Sequence, residues 1–216
     1  KVVFFKMKIT GIIVGLNEGE LLENCISKLF WCSEVLYFDL GSKDSSKEVV
    51  KELKNITILE IDPMPFVELI HQKYCNNLQT DLLVITDPDE VMNQSLIQEL
   101  LVVLKDFDIN VHSELRVNMN YFFKGKRLIG TYWGGIYSSR FIFNNRFLKF
   151  TGFVHDGISL EVNRPLDHKW KESSYIEHHW ARNWHHLFEK HKRYLLAEGK
   201  SMASRGIKYS LSSHIF

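Results

Sequence analysis

The chain has 216 residues, 45% of them hydrophobic and 25% charged, as expected for an ordinary soluble globular domain. Twenty-seven lysines and arginines against 26 aspartates and glutamates leave a formal net charge of +1, so bulk charge makes no case for a nucleic-acid partner. No apolar run approaches the ~18 residues of a membrane span, and residues 2–5 are too short for the core of a signal peptide. The three cysteines, Cys25, Cys32 and Cys75, are odd in number and lack metal-pair spacing, which points to reduced thiols in a cytoplasmic protein. Met7-Lys8 would make a natural start, in which case residues 1–6 are expected to be foreign to the native chain.

Ile9 to Gly15 is an apolar, β-branched run with the character of a strand buried on both faces. Asn17 is a candidate N-cap for a helix that places Leu21, Leu22, Cys25, Ile26 and Leu29 at helical spacing. Glu34 to Asp39 predicts a second strand. Ser45 and Glu48 have the spacing of a capping box, opening a helix with Val49, Val50 and Leu53 inward. Ile56 to Ile61 predicts a third strand, broken by Pro63 and Pro65, and residues 66–78 predict a helix. Leu82 to Thr86 is a short buried strand that runs directly into Asp87-Pro88-Asp89-Glu90. Strands alternating with helices predict right-handed crossovers and a mostly parallel sheet.

Beyond Glu90, residues 95–104 predict an amphipathic helix with Leu96, Ile97, Leu100, Leu101 and Leu104 inward. Residues 111–160 carry short aromatic and β-branched segments that suit antiparallel strands. Helical periodicity returns near Trp184, with Trp184, Leu187, Phe188, His191, Tyr194 and Leu195 on one face and Gly199 as the stop. Without a repeat or linker, the chain is expected to form a single domain: a nucleotide-type half at 7–105 and a mixed half at 106–216.

Carboxylates at the carboxyl end of a buried strand lie where open α/β sheets bind ligands. Asp87 and Asp89, two apart with Pro88 stiffening the turn, are hard oxygen ligands of the kind Mg²⁺ or Mn²⁺ takes beside substrate phosphates. The plainer reading is a solvated acidic turn.

Four local features follow in order: Ile12-Ile13-Val14-Gly15-Leu16-Asn17-Glu18, Asp39-Leu40-Gly41-Ser42-Lys43-Asp44-Ser45, His71-Gln72, and Asp87-Pro88-Asp89-Glu90. Over roughly residues 8–195 the chain resembles glycosyltransferase family 2, closest to bacterial lipopolysaccharide-core and capsule enzymes. Those enzymes typically read T-K-N-E, D-S-G-S-x-D-x-T, D-A-D-E and, later, V-H-E. Leu16 stands for the family's lysine, Leu40 for its serine, Pro88 for its alanine, and Val154-His155-Asp156 for V-H-E.

The resemblance implies an α/β chain of type A glycosyltransferase fold. A mostly parallel Rossmann-like sheet would be flanked by helices and followed by a mixed antiparallel second half and a C-terminal helix. It implies a metal-dependent inverting transfer from a nucleotide-diphosphate sugar, with UDP expected, to a saccharide or lipid-linked saccharide. No nucleic acid is implied, and the enzyme would be cytoplasmic, with peripheral association at the inner membrane. Glu18, Asp39, Gln72, Asp87 and Arg140 are implied to bind the donor; Asp87, Asp89 and His155 would hold Mn²⁺ or Mg²⁺; Asp156 would be the catalytic base. Arg146 would join Arg140 in clamping phosphates, and a histidine near His178 or His179 would follow an apolar strand. Apart from the resemblance, Trp133-Gly134-Gly135 suits an acceptor loop, where an aromatic face stacks on sugar C–H groups and glycine permits close approach, or else a packed tryptophan.

Other readings remain open. Glu18 and Glu90 also suit first-turn helix positions, and Asp44 suits a cap. His178, His179, His185, His186 and His191 are close in sequence, but no cysteine joins them and zincin spacing is missing. A nucleotidyltransferase-like enzyme is an alternative; it would usually have a basic glycine-rich loop where this chain has Gly15-Leu16-Asn17-Glu18. A non-catalytic sugar-binding domain is another.

Overall fold

The computed structural model describes residues 6–51, 53–131, 134–153, 157–204 and 206. Its first half alternates strands β1 (Ile9–Gly15), β2 (Glu34–Asp39), β3 (Ile56–Glu60) and β4 (Leu82–Ile85) with helices α1 (Gly19–Ser27), α2 (Ser46–Lys51) and α3 (Val67–Tyr74). The four strands are parallel in the order β3-β2-β1-β4. Every residue of β1 is buried. Ile9 and Ile13 pack with Leu22, Cys25 and Ile26 of α1 and Val50 of α2. Ile12 and Val14 pack on the other face with Ile70 of α3. Helices therefore cover both faces, which explains why this strand has no polar stripe.

The second half contributes β5 (Glu90–Met92), α4 (Gln94–Val103), β6 (Glu114–Phe123), β7 (Lys126–Arg127), β8 (Tyr137–Asn144), β9 (Leu148–Phe150), β10 (Ile158–Leu160), β11 (Pro165–Leu166), β12 (Ile176–Ala181) and α5 (Trp184–Ser204). The main sheet continues from β4 through β8, β6 and β12 to β5. β8 is antiparallel to β4 and to β6, β12 is parallel to β6, and β5 is antiparallel to β12. β9 and β10 form a separate hairpin.

β4 and β5 are joined by residues 86–89 alone, yet three strands lie between them in the sheet. Four strand spacings in a flat sheet would be about 19 Å, and this connection fully extended reaches about 17 Å. The sheet therefore curls, and the acidic turn bridges its central strand β4 and its edge strand β5.

Several local expectations are corrected. Asn17 is not an N-cap: it adopts φ 57°, and its Oδ1 accepts from Lys43 N at 2.8 Å. The start of α1 is capped from across the loop, with Gly19 N donating to Asp44 Oδ2 at 3.0 Å. Asp44 also caps its own helix, taking Ser46 N at 3.0 Å. Residues 90–92 form strand before α4, so Glu90 is not a first-turn helix residue; Asn93 caps α4 instead. Helix α3 is shorter than expected. Helix α5 runs through Gly199, because one glycine costs only about 1 kcal/mol and does not outweigh its neighbours. The expected inward face of α5 is also revised: Leu187 is buried, while Trp184, Phe188, His191 and Leu195 are exposed.

Candidate active site

The carboxyl ends of β1 and β4 lie side by side in the centre of the sheet. After β4 the turn is tied to itself: Thr86 Oγ1 and Asp87 N both donate to Glu90 Oε2, at 3.1 and 3.2 Å, and Glu90 N donates to Asp87 O. A side chain at Gly15 would come within 3.2 Å of Pro88 Cγ and 3.0 Å of the Tyr37 ring. Glycine there lets the acidic turn settle onto the end of β1.

Three cationic or ionisable groups, none assigned a donor-site role from the sequence, meet these carboxylates. Lys190 of α5 donates to Asp89 Oδ2 at 2.8 Å and to the Trp180 carbonyl at 3.3 Å. His178 of β12 places Nε2 3.6 Å from Asp89 Oδ2 and Nδ1 3.8 Å from Glu90 Oε1, ion-contact rather than hydrogen-bond distances. The imidazole packs on Tyr121, with ring centroids 4.8 Å apart. Arg182 donates to Glu18 Oε2 at 2.6 Å. The sequence signal for these partners is faint: a histidine expected after an apolar strand, which lies instead within β12, and a lysine one position outside the expected inward face of a helix.

Negative charge exceeds positive at this end of the sheet. Asp87 opens to solvent at the rim but sits in dense surroundings. Those surroundings, with the charges of Glu90 and Asp89, push its carboxyl above the ordinary range. Burial also raises Glu90 and Glu18, in the latter against the pull of Arg182. At Asp89 burial acts upward too, but His178 and Lys190 outweigh it and hold the carboxyl below the ordinary range. Burial lowers His178, yet Asp89 and Glu90 prevail and raise it.

A divalent cation would offset this excess charge. Among the described residues no three histidine, cysteine or acidic side chains converge as a ready-made cage. A cation held largely by substrate phosphates needs only one or two carboxylates, so the Asp87 and Asp89 donor set fits one. The histidines do not form a common site among the described residues. His178 and His179 are adjacent on a strand and face opposite ways, and His186 Nδ1 accepts from Arg182 N.

Asp39 ends β2, next to β1, and is fully buried. Its Oδ2 accepts from Gly41 N and Ser42 N at 3.1 and 3.0 Å, and its Oδ1 from the Tyr37 hydroxyl at 3.2 Å. It shapes the following turn, where Gly41 adopts φ 87°. Gly41, Glu60, Asp62, Pro63 and Tyr74 line a cavity of about 370 Å³ there.

Gln72 of α3 donates to the Thr151 carbonyl at 3.0 Å and abuts Gly152. Gly157 abuts Glu68, and Thr151 N donates to Gly157 O at 2.9 Å. Gln72 thus steadies the residues that precede Val154-His155-Asp156 in the sequence. Those three residues, including the candidate base Asp156 and the candidate ligand His155, lie outside the described residues, as does Trp133.

Arg140 is exposed, with its guanidinium 6.0 Å from the Phe143 ring centroid. Because β8 is antiparallel to β4, with Val84 opposite Ile142, Arg140 lies toward the carboxyl end of β4. The same geometry corrects the expectation for Arg146. It sits at the opposite end of the sheet, bonded to Asn110 Oδ1 at 2.7 Å, and cannot share a phosphate clamp with Arg140.

No protein-family model matches the chain. Among solved structures, the fragment 1–349 of TarS from S. aureus is similar with a TM-score of 0.53 at 11% identity, covering 79% of this chain and 60% of that one. The same fragment in complex with UDP gives 0.56 at 10% identity, covering 88% and 65%. In complex with UDP-GlcNAc it gives 0.53 at 12%, covering 84% and 61%. The present chain therefore spans less than two thirds of these fragments. The likeness establishes the fold, a type A glycosyltransferase fold.

Proposed function

We propose that this chain transfers a sugar from a nucleotide-diphosphate donor, a UDP-sugar, to a saccharide acceptor. The observation that carries the reading is the meeting of Glu18, Asp87, Asp89 and Glu90 with Arg182, His178 and Lys190 at the carboxyl ends of β1 and β4. That is where open α/β sheets hold nucleotides, and the excess of carboxylates suits a cation-bridged diphosphate. The structural likeness to TarS in complex with UDP and UDP-GlcNAc supports the donor class.

In this reading the cavity beside Gly41 takes the base, with Asp39 shaping its wall. Asp87 and Asp89 hold Mn²⁺ or Mg²⁺, which when bound offsets charge on the leaving nucleoside diphosphate. Arg140 faces the donor phosphates. Gln72 positions Thr151 and Gly152, and His155 is a further ligand to the cation or the phosphates. Transfer inverts the anomeric centre, with Asp156 taking the proton of the acceptor hydroxyl. The acceptor belongs to lipopolysaccharide or capsule synthesis. The exposed apolar side chains of α5 suit peripheral membrane association.

Calorimetric titration with UDP and GDP, each with and without Mn²⁺, tests the donor site. UDP is expected to bind more tightly than GDP, and more tightly with Mn²⁺. Absence of UDP binding under both conditions would end the proposal.

A further inference from the structure

Lys190 belongs to the charge cluster that marks the site but takes no step in the transfer set out above, yet its ammonium occupies the carboxylate on which that transfer depends. Its side chain is 13% exposed, and Nζ donates to Asp89 Oδ2 and the Trp180 carbonyl. A buried ammonium is costly unless paired, so the Asp89 carboxylate is what allows a lysine here. A divalent cation on the same carboxylate would face this ammonium at short range, and like charges so close repel strongly where water is excluded.

The lysine also anchors its helix. Of the large apolar side chains described on α5, Leu187 is buried, whereas Trp184, Phe188, Leu195 and Leu196 are 58%, 66%, 70% and 62% exposed. Among the described residues the helix buries little apolar surface beyond Leu187, so its tie to Asp89 is one of the contacts that hold it against the sheet.

We propose that Lys190 competes with the divalent cation for Asp89, so that cation and nucleotide settle as the lysine withdraws, coupling α5 to occupancy of the donor site. The inference rests on the donor-site reading above. Coupling of this kind is reciprocal: whatever strengthens the Lys190–Asp89 tie weakens the cation, and the converse. Lys190 is here a positioning residue, not one that touches the reacting atoms.

The test is Mn²⁺ binding in the presence of UDP, followed by the electron paramagnetic resonance signal of free Mn²⁺. Lys190→Met should bind Mn²⁺ roughly tenfold more tightly than wild type, within the usual range of coupling between sites. Equal or weaker binding overturns the competition. Should Lys190→Met fail to fold, hydrogen exchange on the wild-type chain decides: Mn²⁺ with UDP should speed exchange in residues 184–192. Unchanged or slower exchange there overturns the proposal. If neither protein binds Mn²⁺ or UDP, the donor-site reading falls as well. If wild type binds both and the variant binds identically, only the competition is lost.

Discussion

Asp89 combines two demands that compete in any single substitution. In the proposed site it would hold a cation, and it compensates Lys190 and His178. Removing one partner of a buried ion pair leaves the other charge uncompensated. Asp89→Ala is therefore expected to lose Mn²⁺-dependent UDP binding and also about 3 kcal/mol of stability, a fall in Tm of roughly 6–12 °C. Asp89→Ala with Lys190→Met should recover much of the Tm without recovering Mn²⁺ binding, and scanning calorimetry with calorimetric titration checks both. An unchanged Tm in the single variant would refute the structural role. Asp156 raises a separate question, because its proposed work is confined to turnover. Asp156→Asn should bind UDP and Mn²⁺ as wild type does while sugar transfer falls roughly 10²–10⁴-fold. A loss under tenfold with unchanged donor affinity would move the base elsewhere.

The helices carry two further predictions. His71 on α3 is 8% exposed and packs on Phe150, with ring centroids 5.3 Å apart. Burial lowers its pKa from 6.5 to about 4. The folded protein thus disfavours the imidazolium more than the unfolded chain does. Stability from this group is fully present above pH 6.5 and is lost as pH falls toward 4, up to about 3 kcal/mol. His71→Leu should flatten that part of the pH profile, read as the difference in Tm between the two proteins from pH 7.5 to 4.5. A constant difference across the range would contradict it. On α5 the exposed side chains Trp184, Phe188, Leu195 and Leu196 set the expectation for membranes. Lys190, turned to Asp89, is withdrawn from any basic lipid-facing surface. Flotation with vesicles containing anionic lipid should recover the protein, and Trp184→Ser with Phe188→Ser should abolish recovery. Recovery unaffected by the pair would remove α5 from any membrane contact.

For the molecule as a whole, one sheet joins residues from both halves: β4 of the first pairs with β8 of the second, and β5 pairs with β12. Neither half can bury its edge strand alone, so thermal unfolding should be a single transition. Two separated transitions by calorimetry would show that the halves fold independently. A ligand that binds only the folded chain adds about 2.7 kcal/mol at one hundred times its Kd. UDP with Mn²⁺ at that excess should raise Tm by roughly 5–10 °C.

The parallel core was legible in the chain because strands buried on both faces need unbroken apolar residues. Ile9–Gly15, Glu34–Asp39 and Leu82–Ile85 carry that requirement in their composition. The acidic turn was legible for a similar reason: Asp87 and Asp89 are local to one strand end. The rest depended on contacts across long stretches of chain. Lys190 meets Asp89 from 101 residues away and Arg182 meets Glu18 from 164, and no local spacing encodes either pairing. The direction of β8, which sends Arg146 to the wrong end for a phosphate clamp, follows from its antiparallel pairing with β4. The sequence by itself determined a parallel α/β core with carboxylates at a central strand end, because burial pattern and turn chemistry are local properties. Only the tertiary structure decided which charges face those carboxylates and that the sheet curls to bring them there, because long-range pairing fixes both.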